Sequence, residues 1–405
     1  MCEQLHKSLM EVSMFSKEAM FSVSNSSLIR KMFEEGERLT KLYGSDKVFD
    51  FSLGNPYKEP PQSVKDTIKE LVEEVGIHKY MANAGFPEVR EVVAKHVAKD
   101  LDFSIPWKNI IMSSGAAGGL NVTFKALLNP EDEVVCFAPY FVEYGFYARN
   151  HRANIKVVDC TKSDFMPTRQ GLREALNEKT KVVLINSPNN PTGALYSRAC
   201  LEELADELRL WKEKTGNTVF LVSDEPYAEI VFDNYEVPNI LSIYENSIIV
   251  TSFSKSLGLA GQRIGYIAIS PKIENVDLLV DIMTFATRTL GFVSASALWQ
   301  KAVAKCIEEV VDVEDYKEKR DILYNHLTSL GFEIRKPEGT FYLFPKSPIE
   351  DDKKFTEMAL KYNILVVPGS GFGAPGYFRI SYCVPTEKVI ASLEAWTRLA
   401  KEIFE

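Results

Sequence analysis

Hydrophobic and polar positions divide the chain into three stretches of different rhythm. In the first, Ile29, Met32, Phe33, Leu39 and Tyr43 recur at helical spacing, with Ser26 and Ser27 placed to cap the helix and Gly44 to end it. Residues 1–25 have no partner of their own in this pattern and read as an N-terminal arm. The middle stretch holds short apolar runs at 110–112, 134–137, 155–158, 182–185, 219–222, 248–250 and 264–269. They are rich in Val and Ile and do not alternate strictly, as befits strands covered on both faces. Helical patterns fill several intervals, for example 119–128, 172–177 and 201–211. This repetition predicts an α/β fold in which seven strands, within residues 105–270, form a mostly parallel sheet flanked by helices.

After about residue 310 the rhythm changes again. A long polar helix over 314–330 leads into short apolar stretches at 332–334, 340–344, 364–367 and 377–382, joined by Gly/Pro-rich connections. These predict an antiparallel sheet, closed by a last helix with Ile390, Leu393, Trp396, Leu399 and Ile403 on one face. The expected division is a large domain over 55–304 and a smaller α+β domain made of 26–54 and 305–405.

Composition narrows the function more than the fold. The 405 residues are 45% hydrophobic and 25% charged, ordinary for a globular chain of this size. A net charge of −9 without a Lys/Arg block argues against nucleic acid or an anionic membrane as partner. The six cysteines (2, 136, 160, 200, 306 and 383) form no C-x-x-C pair, and the five histidines fall at no ligand spacing, so no metal site is expected. Cys136, inside an apolar run, reads as a small buried hydrophobe. No apolar stretch approaches a membrane span and the first residues lack a signal-peptide pattern, so a cytoplasmic location is expected.

In open parallel sheets ligands bind beyond the carboxyl ends of the strands. The residues just past each apolar run are therefore informative. The first run ends in Ser113-Ser114-Gly115-Ala116-Ala117-Gly118-Gly119, the second in Pro139-Tyr140-Phe141, and the fourth in Asn186-Ser187-Pro188-Asn189-Asn190-Pro191-Thr192-Gly193. The fifth ends in Ser223-Asp224-Glu225-Pro226-Tyr227 and the sixth in Thr251-Ser252-Phe253-Ser254-Lys255. Five strand ends thus carry small, polar or aromatic residues suited to one shared site.

Each piece alone has a plain alternative. The glycines after Ser114 fit a simple helix start as well as a backbone cradle for phosphate at a helix N-terminus. Asp224 fits a turn or cap carboxylate, Tyr227 a packing residue, and a lone lysine most often a solvated surface group. The segment Gly369-Ser370-Gly371-Phe372-Gly373 looks like a dinucleotide fingerprint, but Pro375-Gly376 and a strand come after it instead of a helix. Lys255 stands apart because Ser252, Ser254 and Arg263 supply phosphate donors around it. A strand-end lysine near phosphate donors and a buried carboxylate is what a Schiff-base cofactor needs.

Together these segments resemble the class I/II aminotransferases, the fold type I family of aspartate aminotransferase, and most of all its bacterial aspartate aminotransferase-like members. The resemblance rests on Ser252-Phe253-Ser254-Lys255 with Arg263, Asn190-Pro191-Thr192-Gly193, Asp224-x-x-Tyr227 and Phe378-Arg379-Ile380-Ser381. Ser52-Leu53-Gly54-Asn55-Pro56 and the stretch from Tyr80 to Gly85-Phe86-Pro87-Glu88-Val89-Arg90 add to it, and it runs from about residue 50 to the C-terminus.

It implies pyridoxal 5'-phosphate held on Lys255, which also moves the proton at the substrate Cα. Asp224 would keep the pyridine nitrogen protonated, and Asn190 and Tyr227 would donate to the ring's 3-oxygen. Phe141 would stack on the ring, where many aspartate-specific relatives carry tryptophan, which weakens any claim of strict aspartate specificity. The backbone of Gly115, Ala116 and Ala117, with Ser252, Ser254 and Arg263, would hold the phosphate. Arg379 would fork onto the substrate α-carboxylate, assisted by Asn190 and the backbone of Gly54.

Tyr80 would reach the phosphate of a neighbouring subunit, making the unit a homodimer with shared sites. Arg288 lies where a distal carboxylate could be read, or where an ion pair would serve equally. The resemblance implies transfer of an amino group from an L-amino acid, aspartate or a broader donor set, to a 2-oxo acid such as 2-oxoglutarate. Rival readings are C–S lysis, decarboxylation or racemisation on the same cofactor, and a non-enzymatic ligand sensor. An NAD-linked dehydrogenase fails because no fingerprint comes after any strand.

Overall fold

The structure, a computed structural model, describes residues 14–24 and 28–405. Ser26, Ser27 and the side chains of Ile29 and Phe33 lie outside the described residues. The first amphipathic pattern forms the helix Leu28–Tyr43, which stops at Gly44 with φ +90°. Leu39 is buried on it, but Tyr43 is exposed, because the last turn projects past the core. The described part of the expected arm has a partner after all. Helix Lys17–Ser24 lies against helix Glu143–Arg149, where Arg149 pairs with Glu18 at 3.3 Å and covers the Phe21 ring at 4.2 Å.

Strand β1 (Phe49–Asp50) precedes the large sheet. Its seven strands are β2 (Ile110–Ser113), β3 (Glu133–Ala138), β4 (Asn154–Asp159), β5 (Thr180–Asn186), β6 (Phe220–Asp224), β7 (Ser247–Ser252) and β8 (Gly265–Ile269). Their spatial order is β2-β8-β7-β6-β5-β3-β4. All neighbours are parallel except β8, which is antiparallel to both β2 and β7. The chain between β7 and β8 stays at one sheet edge, so β8 must return the way β7 came.

Alternate residues feed two cores. Val135, Phe137, Val183, Ile185 and Leu221 pack on one face, and Val134, Cys136, Val182, Leu184 and Val222 on the other. The unbroken apolar runs thus reflect helices on both sides of the sheet. The helix expected from residue 119 begins at Gly115, directly after the strand, and the one expected at 172–177 spans Arg169–Ala175, capped by Thr168.

The last third adds β9 (Tyr342–Leu343), β10 (Ile364–Leu365), β11 (Val367–Pro368) and β12 (Phe378–Ser381). Strands β11, β12 and β9 form the expected antiparallel sheet, but β10 pairs in parallel with β1, joining the two ends of the sequence. No strand forms at 332–334. Phe332 instead plugs a core among the rings of Phe355, Phe378, Trp396 and Phe404, at centroid distances of 5.5 to 6.2 Å. That core also takes in Phe51, Tyr316 and Phe341. The final helix, Thr386–Phe404, buries Val389, Trp396 and Leu399 and leaves Ile390 exposed, one position around from the expected face. No described helix is long and apolar enough to cross a membrane.

Candidate active site

Strand order reverses between β3 and β5, so the loops leaving them diverge and open a crevice at the carboxyl edge. Strand register brings the other pieces level with it. Asn186 lies opposite Asp224, and Gly265 lies opposite both Ser113 and Ser252. A Cβ on Gly265 would meet Thr251 O at 2.2 Å and Gly115 Cα at 3.2 Å, so only glycine lets the ends of β2 and β7 come together. Lys255 comes next on the one-turn helix Phe253–Ser256.

A cavity of roughly 300 Å³ results, a size suited to a small ligand. Gly54, Ala116, Ala117, Phe141, Asn190, Asp224, Tyr227, Ser252, Ser254, Lys255, Arg263 and Arg379 all line it. Gly115 stands just behind, so close to Arg263 that a Cβ would meet Nη2 at 2.7 Å. Ala116 and Ala117 sit in the first turn of helix Gly115–Leu127, where backbone N–H groups have no partner within the helix. Tyr80 and Arg288 are not brought into the cavity of their own chain. Both are exposed, Tyr80 at 93%.

The polar groups inside are held in specific ways. Lys255 Nζ donates to Gly54 O at 2.6 Å, and burial pulls its ammonium down to about 8, with Arg379 and Arg263 adding to the effect and Cys383 opposing it. Burial pushes the Asp224 carboxyl up to about 7, against the Tyr144 hydroxyl that donates to Oδ2 at 2.6 Å. Asp224 Oδ1 is buried with no hydrogen-bond partner among the described residues. Arg379 donates from Nη1 to Asn190 Oδ1 at 3.0 Å and from Nη2 to Ser52 O at 2.5 Å. Its guanidinium lies between the rings of Tyr342 and Phe372, at 4.5 and 4.7 Å. Tyr227 meets Tyr342 hydroxyl to hydroxyl at 2.9 Å.

Three residues of this site have no role evident from the sequence. Tyr144 lies three positions after Phe141, a spacing that could flag it once a helix is expected there. Asn186 stands at its strand end among other polar candidates. Its amide bridges Asp224 O and the Asn190 N–H, both at 2.7 Å. Tyr342 gives no signal, since it sits in an aromatic run typical of core.

The family described as aminotransferase class I and II matches residues 46–395 of the chain. The chain belongs to this family. The aspartate aminotransferase of Pyrococcus horikoshii is 30% identical over 93% of this chain and 94% of its own length. The aspartate/prephenate aminotransferase of Thermus thermophilus is 31% identical, covering 86% and 90% respectively. A solved aminotransferase from Eubacterium rectale superposes with a TM-score of 0.93 at 37% identity, over 97% of this chain and all of that one.

This aminotransferase is a pyridoxal-phosphate-dependent enzyme of fold type I that moves an amino group between an amino acid and a 2-oxo acid. The cavity fits that cofactor on its own evidence. The unpartnered Asp224 oxygen is a buried acceptor of the kind a protonated ring nitrogen requires, and Ser252, Ser254 and Arg263 line the same cavity, with Arg263 and Ser252 close to the helix start at Gly115.

Proposed function

We propose that the enzyme takes amino groups from aspartate and a broader set of L-amino acids and passes them to a 2-oxo acid such as 2-oxoglutarate. In this reading Lys255 holds the cofactor and serves as the base at the substrate Cα. Burial supports that role, because it leaves the amine more easily deprotonated than an ordinary lysine. Bound there, pyridoxal phosphate supplies an aldehyde for amines and a ring that accepts the electron pair released at Cα.

Asp224 keeps the ring nitrogen protonated, Asn190 and Tyr227 hydrogen-bond its 3-oxygen, and Phe141 covers its face. Gly115, Ala116, Ala117, Ser252, Ser254 and Arg263 hold the phosphate. Arg379 binds the α-carboxylate beside Asn190 and Gly54. The single observation that carries this assignment is that Lys255, a buried carboxylate with a bare oxygen and a fixed arginine fork share one small cavity.

Two further elements of the reading concern a second copy. Leu278, Ile282 and Phe285 stand exposed at 60%, 41% and 62% along one side of helix Val276–Thr289, which also carries Arg288. An apolar stripe of this kind fits a protein interface. Tyr80 supports the same reading, being almost fully exposed and outside its own cavity. We assign both to a homodimer in which Tyr80 completes the partner's phosphate site and Arg288 reads a distal carboxylate there. We also assign the enzyme to the cytoplasm.

The purified protein, tested against all common amino acids with and without 2-oxoglutarate, decides the matter. Turnover of aspartate or glutamate that requires the oxo acid supports the proposal. Release of ammonia, carbon dioxide or a thiol without any acceptor overturns it. Lys255→Ala should abolish turnover, and borohydride should fix the cofactor to Lys255 and to no other lysine.

A further inference from the structure

Tyr342 lines the cavity but has no part in the assignments above. Its ring faces the Arg379 guanidinium at 4.5 Å, and a Cβ on Gly54 would lie 1.8 Å from its hydroxyl oxygen. Several independent features fix it there. Pairing of β9 with β12 sets Tyr342 opposite Ser381. Two residues earlier, buried Thr340 has φ +65°, a left-handed conformation that a β-branched residue resists. Thr340 is kept so by donating from N to Ile230 O at 2.9 Å and by accepting from the Tyr382 hydroxyl at 3.3 Å. Its own Oγ1 accepts from Tyr342 N at 3.2 Å. The strained turn aims the tyrosine ring into the cavity.

We propose that Tyr342 is a positioning residue of the reaction, which donates its phenol proton to the Tyr227 oxygen and so commits the Tyr227 proton to the cofactor's ring oxygen. This inference rests on the proposed role of Tyr227. A phenol has one proton to give and lone pairs to receive. Among the described residues, Tyr227 is the one hydrogen-bond partner of the Tyr342 hydroxyl, at 2.9 Å. Once the Tyr227 proton points to the ring oxygen, the contact between the two tyrosines survives only with Tyr342 as donor. Donation into Tyr227 makes Tyr227 the stronger donor in turn, as in any hydrogen-bonded chain out of water. The ionisable groups facing the pair are Arg379 and Cys383 from β12 and its exit, Asp224 from the end of β6, Tyr316 from helix Val313–Ser329, and Lys255 across the cavity. Replacing the Tyr342 hydroxyl leaves every one of them in place.

The test is a pH titration of the visible absorbance of the loaded enzyme, which tracks the proton on the nitrogen linking Lys255 to the cofactor. Donors to the ring oxygen lower its midpoint, because they favour the form in which that oxygen keeps its negative charge unshared. Tyr227→Phe should raise the midpoint. Tyr342→Phe should raise it in the same direction by on the order of 0.5 pH unit, with an unchanged melting temperature. The double variant should match Tyr227→Phe alone, since Tyr342 acts only through Tyr227. A midpoint unmoved in Tyr342→Phe, or additive shifts in the double variant, overturns this inference and leaves the role of Tyr227 standing. A midpoint unmoved in Tyr227→Phe overturns both.

Discussion

The two oxygens of Asp224 meet unlike surroundings: Oδ2 accepts from Tyr144, while Oδ1 is buried and bare. Burial raises this carboxyl from 3.8 to about 7. An acid raised in the fold binds more protons folded than unfolded between those values, so stability falls as pH climbs from about 4 to about 7 and stays low above. The ionised form costs the protein alone on the order of 4 kcal/mol. Asp224→Asn should therefore raise the melting temperature of the cofactor-free protein more at pH 8 than at pH 5. In the loaded enzyme it should cut turnover by on the order of 10²–10³-fold with little change in cofactor affinity. Equal melting gains at the two pH values would show that burial of charge is not the cause.

Arg379→Lys keeps the charge and loses the planar fork, so KM should rise for every amino acid and oxo acid by on the order of 10²-fold, with the colour retained. Arg288→Ala should matter for aspartate and hardly for a neutral donor. Unchanged KM values in the Arg379 variant would pass the carboxylate to another residue. Residues such as Asp224, which ends β6, and Lys255, three residues past the end of β7, were readable because they come so soon after an apolar run that sequence position alone puts them near the sheet edge. Tyr144 and Tyr342 reach the cavity from a helix and a two-residue strand, and the direction of such side chains is not written in local spacing.

Among elements, the helix Val313–Ser329 shows how a polar sequence can sit inside. Lys319 is fully buried on it, pairing with Asp315 at 2.5 Å and with the Tyr57 hydroxyl at 2.6 Å, over whose ring it lies at 3.9 Å. The pair pins the segment after Gly54 to the smaller core. Asp315 also meets Lys58 Nζ at 3.1 Å, so Asp315→Asn leaves the buried Lys319 ammonium with the Tyr57 hydroxyl alone and should cost about 3 kcal/mol in urea unfolding. Adding Lys319→Met should recover a large part of that loss. A double variant weaker than the single one would mean that the pair stabilises beyond its own desolvation. The inner strands of the large sheet were legible because both faces demand apolar residues, which leaves a dense signal, and the edge strand β4, half-exposed and carrying Lys156, kept enough Val and Ile to be read with them. The smaller sheet was legible only in part. Phe332 belongs to an apolar stretch because of aromatic packing, not a ladder, and β1 is two residues long with a polar member.

For the whole molecule, the stripe of Leu278, Ile282 and Phe285 decides whether the site is shared. Ile282→Glu with Phe285→Glu should give monomers by light scattering and weaken cofactor retention about 10-fold, the worth of one lost phosphate hydrogen bond. Monomers that hold the cofactor as tightly as wild type would remove Tyr80 from the site.

The contact of Lys255 with Gly54 also ties distant parts together. The strap through Gly54 is stitched to the smaller core, since Phe51 O receives Ser381 N at 2.8 Å and Ser52 O receives Arg379. Lys255 is held by the helix that leaves β7 of the large sheet, so its bond to Gly54 O works as a latch between the two. An amine spent on a covalent link can no longer close that latch with a charged donor. Loading the enzyme should then loosen the strap, and by reciprocity anything that presses the strap down should weaken loading. Amide hydrogen exchange over residues 52–57 should be faster in the loaded enzyme than in the same protein stripped of cofactor, and slower exchange there would show that the strap is held by something else.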